Sequence, residues 1–186
     1  MPESAEMTMT PEQARAACDA GMHSMGLTRW VVTRTVADLT PEQWMHQVAP
    51  GANHPMFNFG HLVTCDANFL LAAGGRSSVP ESYGELFNGG SQPSPDANRY
   101  PTPQELLEVG ERGRAELVNH LRGLSGEQLL APVEGGPLKD ILPNLAHLPG
   151  FIALHEGTHT GQIMLVRRAL GLPGVLGAPP KDIDHG

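Results

Sequence analysis

The segment FIALHEGTHTGQIMLVRRALG, residues 151–171, decides the fold because it has the pattern of one long amphipathic helix. Apolar residues recur at intervals of three and four along it and upstream of it, as on the buried face of a helix. The predicted face consists of Ile141, Leu145, Leu148, Ile152, His155, His159, Gln162, Val166 and Ala169. Arg167 and Arg168 complement the helix dipole in the last turn, and Gly171 is a suitable C-terminal cap.

Helix-start signals indicate that the rest of the chain is also helical. The capping-box pattern [ST]-x-x-[EQ] occurs at Thr10, Thr40, Thr102 and Ser125, three times with Pro in the next position. The predicted long helices run from Pro11 to Asp38, from Pro55 to Gly74-Gly75 and from Pro103 to about Leu121, with short helical turns at 40–47 and 125–131. Period-2 alternation is nearly absent, so no strand is predicted. These elements predict an all-α four-helix bundle.

The expected organisation is a single domain with irregular ends. Residues 1–9 are predicted to be disordered, residues 10–171 to form the bundle, and residues 172–186 to be an irregular tail. The Gly- and Pro-rich link at 75–101 is long enough to cross between non-adjacent helices. Pro149-Gly150 is predicted to kink or restart the last helix.

Composition restricts the class of function. A formal net charge of −8 with no Lys/Arg stripe argues against nucleic acid as a partner. No apolar run is long enough to span a membrane, and the N-terminus lacks the pattern of a secretory signal. Cys18 and Cys65 fall in different predicted helices, and two free thiols in a reducing cytoplasm are expected.

His155 and His159 are candidate metal ligands. Their i, i+4 spacing puts both imidazoles on one helix face, within reach of one ion. They occupy an apolar face, where imidazoles without partners would cost free energy. The alternative is a pair of hydrogen-bonded core or surface histidines.

The H-E-x-x-H pattern of this segment is also that of zinc proteases, which need a downstream third ligand. Gln162 and Leu165 stand where the extended motif requires Gly and His, and no Glu follows Glu156. The protease interpretation is therefore poor, and the third ligand is expected upstream. His61 is the candidate, because small or polar side chains flank it at helical spacing on the second helix.

Two segments, NFGHL at 58–62 and HEGTHTGQIMLVRRALG at 155–171, carry a family resemblance. With them, residues 10–171 resemble the DinB/YfiT-like four-helix metalloproteins. The resemblance implies a three-histidine site of His61, His155 and His159 for a divalent metal ion, Zn or Ni. It further implies a bundle with long crossover connections, and a homodimer.

The resemblance also implies an activity, since members of this family act as transferases on low-molecular-weight thiols. The expected partners are a small-molecule thiol and an electrophilic substrate. Glu156, Gln162 or Asn58 is predicted to orient a ligand histidine, and Gln162 alternatively to contact substrate. The alternatives are a metal-dependent hydrolase and a non-catalytic, metal-stabilised dimeric binding module.

Two further residues are candidates to complete the coordination sphere. Cys65 follows His61 by four residues, so it could chelate the same ion or serve as a small buried side chain. A sphere closed by Cys65 would favour the non-catalytic alternative. His147 is a reserve ligand if a kink at Pro149 turns it toward the site, and His54 is predicted to cap the second helix.

Overall fold

The computed structural model describes residues 9–133 and 137–176 of the chain. These residues contain helices and no strand, which confirms the all-α prediction. The α-helices are α1 (Pro11–Val36), α2 (Pro41–Trp44), α3 (Pro55–Ala72), α4 (Ser82–Phe87), α5 (Pro103–Gly123), α6 (Gly126–Leu129) and α7 (Leu148–Ala169). The predicted disordered N-terminus and tail fall mostly outside the described residues, and 172–176 has no regular secondary structure.

The helices begin where the capping residues predict. Thr10, Thr40, Thr102 and Ser125 each form a complete capping box in which side chain and backbone satisfy each other's hydrogen bonds. His54 caps α3 as predicted, because its Nδ1 accepts from the backbone N–H of Phe57 at 3.0 Å. The Nε2–H of the same ring donates to the carbonyl of Ser94 at 3.0 Å.

The four long helices pack in the cyclic order α1, α7, α3, α5. Helix α7 packs against both α1 and α3, and α3 packs against α5. The Arg15 side chain of α1 donates to the carbonyl of Leu121 near the end of α5 at 3.0 Å, which closes the ring. The connections from α1 to α3 and from α5 to α7 therefore cross the bundle.

The link at 75–101 is long enough to cross the bundle but does not do so, because it joins the packing neighbours α3 and α5. Gly110 of α5 permits their close approach, since a Cβ there would lie 2.8 Å from Cγ2 of Val63. Within the link, α4 packs on α3, and its last residue, Phe87, is fully buried.

Of the two predicted outcomes at Pro149, a kink or a restart of the last helix, the structure shows the restart. The helix begins at Leu148, so Pro149 occupies the first turn, where its missing N–H costs no hydrogen bond. The predicted buried face is correct at Leu148, Ile152 and Val166 but wrong at Ile141, Gln162 and Ala169, which are exposed. Leu145 is buried but lies in a separate 3₁₀ turn. At the other end Gly171 has the expected positive φ, and its N–H donates to the carbonyl of Arg168.

Among the described residues, no helix has the length and apolar character needed to cross a bilayer.

Candidate metal centre

The structure brings His61 of α3 together with His155 and His159 of α7. One ring nitrogen of each lies within 4.8 Å of the other two, and all three side chains are half-buried. The ring centroids are 4.7 Å apart for His155 and His159, and 4.7 and 5.2 Å for His61 with His159 and His155. These are the three ligands that the sequence predicted, and the group could hold a metal ion.

The spacing of the His61 and His155 nitrogens fits one small cation. The Nε2 atoms of His61 and His155 are 3.3 Å apart. Two imidazole nitrogens bound tetrahedrally to the same ion at 2.0–2.1 Å stand about 3.3 Å apart. His61 and His155 are thus positioned to share one metal ion, and the nitrogen of His159 lies within 4.8 Å of both.

Hydrogen bonds on the far side of two rings fix which nitrogen is available. The Nδ1–H of His61 donates to the carbonyl of Phe87 at 2.7 Å, and that of His159 donates to Oδ1 of Asn58 at 3.1 Å. Both contacts leave a lone pair on Nε2, the atom through which His61 approaches His155 at 3.3 Å. Anchoring of this kind is typical of metal-binding histidines, where it sets ring orientation and ligand basicity.

The cluster also favours neutral imidazoles. The pKa of His155 is lowered to about 4, mainly by burial and then by the neighbouring His159 and His61. Burial and His61 lower the pKa of His159 to about 4, against a hydrogen bond with Gln162 that raises it. At neutral pH both rings therefore keep a lone pair, the form that binds metal.

Cys65 lies beside the cluster but outside it. Its Sγ is 3.5 Å from Nε2 of His61 and 3.9 Å from Nδ1 of the same ring. A thiolate that shared a tetrahedral ion with Nε2 would be about 3.5 Å from Nε2 but about 5 Å from Nδ1. Burial also raises the pKa of the Cys65 thiol to about 12. The sulfur lies alongside the ring, and the structure does not place it as a ligand.

His147 is not brought to the site. It precedes α7, and its Nδ1 pairs with Oδ1 of Asn144 at 2.8 Å. Because Pro149 starts the helix without a kink, nothing turns this ring toward the other histidines. The cluster includes neither His147 nor Cys65.

Gln162 and Glu156, the two predicted auxiliary residues, lie on different sides of α7. Gln162 is exposed beside His159, with which it hydrogen-bonds. Glu156 is completely buried, and the 100° step from His155 points its carboxylate into the bundle, where Thr28 donates to it at 2.7 Å. Among the described residues no hydrogen bond joins the Glu156 carboxylate to a cluster ring, although its charge acts to raise the pKa of His155, and Asn58 holds the His159 ring instead.

Sequence reasoning missed a buried ionic group next to the site. Arg29 of α1, Asp66 of α3 and Arg114 of α5 meet Glu156, so that each long helix contributes one charge. Burial raises the pKa of Asp66 and lowers that of Arg29, and the opposite charges beside each group oppose these shifts. The signal in the sequence was a charged residue at a core-facing position on each helix.

Aromatic rings form one wall of the site. The ring of Phe151 stacks parallel to His155 at 6.2 Å between centroids, and Phe69 meets the same imidazole edge-on at 5.9 Å. This apolar side limits access of water to the nitrogens and contributes to the burial that keeps them neutral.

Comparison with known proteins identifies a family. A family model of the DinB superfamily matches residues 25–163. No curated protein and no solved structure matched the chain. The matched range covers well over half of the sequence and includes all three clustered histidines. The chain therefore belongs to the DinB superfamily.

Proposed function

We propose that this protein binds a divalent metal ion, Zn²⁺ or Ni²⁺, through His61, His155 and His159 and acts as a metal-dependent transferase. In this proposal it transfers a low-molecular-weight thiol to a small electrophile. The observation that carries the metal site is the convergence of three ring nitrogens, with His61 and His159 anchored through Nδ1 so that Nε2 is free.

The chemistry of the donor set fits a catalytic ion. A divalent ion held by three neutral imidazoles keeps its full charge and an open position, and it lowers the pKa of a thiol or water there. The position of Cys65 beside the His61 ring supports an open position over a closed sphere. Phe69 and Phe151 line one side of the cluster beside His155. In this proposal the exposed Gln162 contacts substrate at the rim.

One observation favours transfer over hydrolysis. A metal-dependent hydrolase gains from a general base within reach of the attacking water. Glu156, the carboxylate next in sequence to His155, is instead buried and paired with Arg29 and Arg114. A thiol, whose pKa is far below that of water, has less need of such a base.

The remaining parts of the proposal concern partners and location. We propose a homodimer in the cytoplasm, with neither nucleic acid nor membrane as a partner. The formal net charge of −8 supports the first exclusion, because a phosphate backbone would be repelled.

Elemental analysis of protein purified without an affinity tag tests the metal site. Wild type is expected to contain about one equivalent of metal, and His159→Ala to lose it. His147→Ala is the matched control, because this histidine directly precedes α7 and lies outside the cluster. Loss of metal in both variants, or in neither, would contradict the assignment.

A substrate screen then separates the three functions. Bacillithiol, mycothiol and glutathione are each supplied with a chromogenic electrophile, and a chromogenic ester is supplied without thiol. The proposal predicts metal-dependent, thiol-dependent turnover of the electrophile that is lost in His159→Ala. Turnover of the ester alone would indicate a hydrolase, and stoichiometric metal without turnover would favour a binding module.

A further inference from the structure

The buried ionic group has an arrangement that relates it to the metal centre. Arg29 contacts both carboxylates, with Asp66 Oδ2 at 2.7 Å and Glu156 Oε1 at 2.8 Å. Arg114 does the same, with Asp66 Oδ1 at 2.9 Å and Glu156 Oε1 at 3.1 Å. Each guanidinium thus bridges the same two carboxylates.

The carboxylates and the guanidiniums of this group lie on different pairs of helices. Both carboxylates belong to the helices that provide histidines, Asp66 to α3 and Glu156 to α7. Both guanidiniums belong to the other two helices, Arg29 to α1 and Arg114 to α5. Asp66 lies five residues after His61, and Glu156 is the direct neighbour of His155, so the bridge spans the interface at which the histidines meet.

We propose that this group, which we call the charge clamp (Arg29, Asp66, Arg114 and Glu156), sets the separation of α3 and α7 and thereby positions the three histidines. The effect of the clamp on metal binding rests on the proposed function, although the clamp itself requires no metal. Its four members are positioning residues, because none contacts the centre of the cluster.

The clamp is sensitive to loss of one member. The carboxylates of Asp66 and Glu156 would repel each other across the interface between α3 and α7. Each guanidinium attracts both carboxylates and so holds the two helices together. The side chains of Asp66 and Glu156 are 2% and 0% exposed, so water cannot replace a missing guanidinium. Removal of one partner from a buried ionic group is far more costly than its balanced replacement by neutral residues.

The first experiment measures the separation of the helices without metal. Spin labels are attached at Leu71→Cys on α3 and Leu154→Cys on α7, both exposed, in a Cys65→Ser background where Cys18 is fully buried. Electron–electron dipolar spectroscopy on metal-free protein then gives the distance distribution. Arg114→Met is expected to lengthen or broaden it, and the charge-balanced Arg114→Met/Glu156→Gln to restore it in part.

Arg167→Met is the matched control. Arg167 is a buried arginine like Arg114, but it lies at the far end of α7 and pairs with Asp38 and the Thr35 carbonyl. Its loss is expected to lower stability without changing the distance between the labels. If Arg114→Met does not fold by circular dichroism, Arg114→Lys and Asp66→Asn replace it.

The second experiment measures metal affinity by competition with a chromogenic chelator. Single clamp variants that remain folded are expected to bind Zn²⁺ about 10- to 100-fold more weakly than wild type. Wild-type label distances in folded clamp variants would overturn the inference, whatever the protein binds. A wild type that binds no metal while the distances respond would refute the proposed function and leave the clamp standing.

Discussion

Gly60 of α3 lies against the ring of Phe87, the residue whose backbone carbonyl anchors His61, and replacing Gly60 tests that packing. A Cβ at residue 60 would lie 2.3 Å from Cε1 of the Phe87 ring. Favourable carbon contacts are about 3.5–4.0 Å, so the ring would have to move by about 1.2 Å or more. Phe87 is fully buried and packed against Phe57 and Tyr100, which resist that movement.

The size of the effect follows from two opposing contributions. Replacement of a mid-helix Gly by Ala gains about 1 kcal/mol in helix propensity. Overpacking of a well-filled core costs about 1–3 kcal/mol, and the depth of this overlap indicates the upper end of that range. We therefore expect Gly60→Ala to destabilise the metal-free protein by about 2 kcal/mol, or to lower Tm by about 4–8 °C for a chain of this size.

The assay is urea unfolding of metal-free protein followed by circular dichroism. Gly26→Ala on α1 is the matched control, because a Cβ there meets nothing within 4 Å. The control is expected to gain the full propensity term, about 1 kcal/mol. Because the Phe87 carbonyl anchors His61, Gly60→Ala is also expected to weaken metal binding. A Gly60→Ala protein as stable as Gly26→Ala would refute this packing of residue 60 against the Phe87 ring.

Three further predictions concern the cluster. Asn58→Ala removes the acceptor that holds Nδ1 of His159 and is expected to weaken metal binding about 10- to 100-fold in a chelator competition; unchanged affinity would show that this hydrogen bond is dispensable. Because the folded pKa values of His155 and His159, about 4, lie below the usual 6.5, the unfolded chain takes up protons first. The stability of the metal-free protein should therefore decline as the pH falls from 6.5 to about 4, and less steeply in His155→Ala/His159→Ala when denaturation midpoints are compared. Cys65→Ser is expected to keep wild-type metal content, and cobalt-substituted wild type to lack thiolate charge-transfer absorption; such a band, lost in the variant, would make Cys65 a ligand.

Local signals in the sequence were sufficient to predict the helices. Each capping box satisfies backbone groups within four residues, so Thr10, Thr40, Thr102 and Ser125 mark helix starts whatever the rest of the chain does. The pairing of His155 with His159 is local in the same sense, because helical geometry alone places them together.

Features that depend on packing between distant segments could not be predicted in the same way. Pro149 is compatible with either a kink or a first turn, and only the position of Leu148 at the helix start decides between them. The charge clamp joins residues up to 127 positions apart, from Arg29 to Glu156, and no local pattern encodes such pairing. Asn58 was one of three residues predicted to orient a ligand histidine. It holds the His159 ring, whereas the Glu156 carboxylate points inward and pairs with Arg29.

X-ray absorption spectroscopy of the bound metal tests the central claim most directly. The structure predicts three imidazole nitrogens from His61, His155 and His159 at about 2.0–2.1 Å, with light-atom ligands in any remaining position. His159→Ala should lose one of these scatterers or the metal itself. A sulfur shell at about 2.3 Å, or a spectrum with fewer than three imidazoles in the wild type, would contradict the three-histidine site.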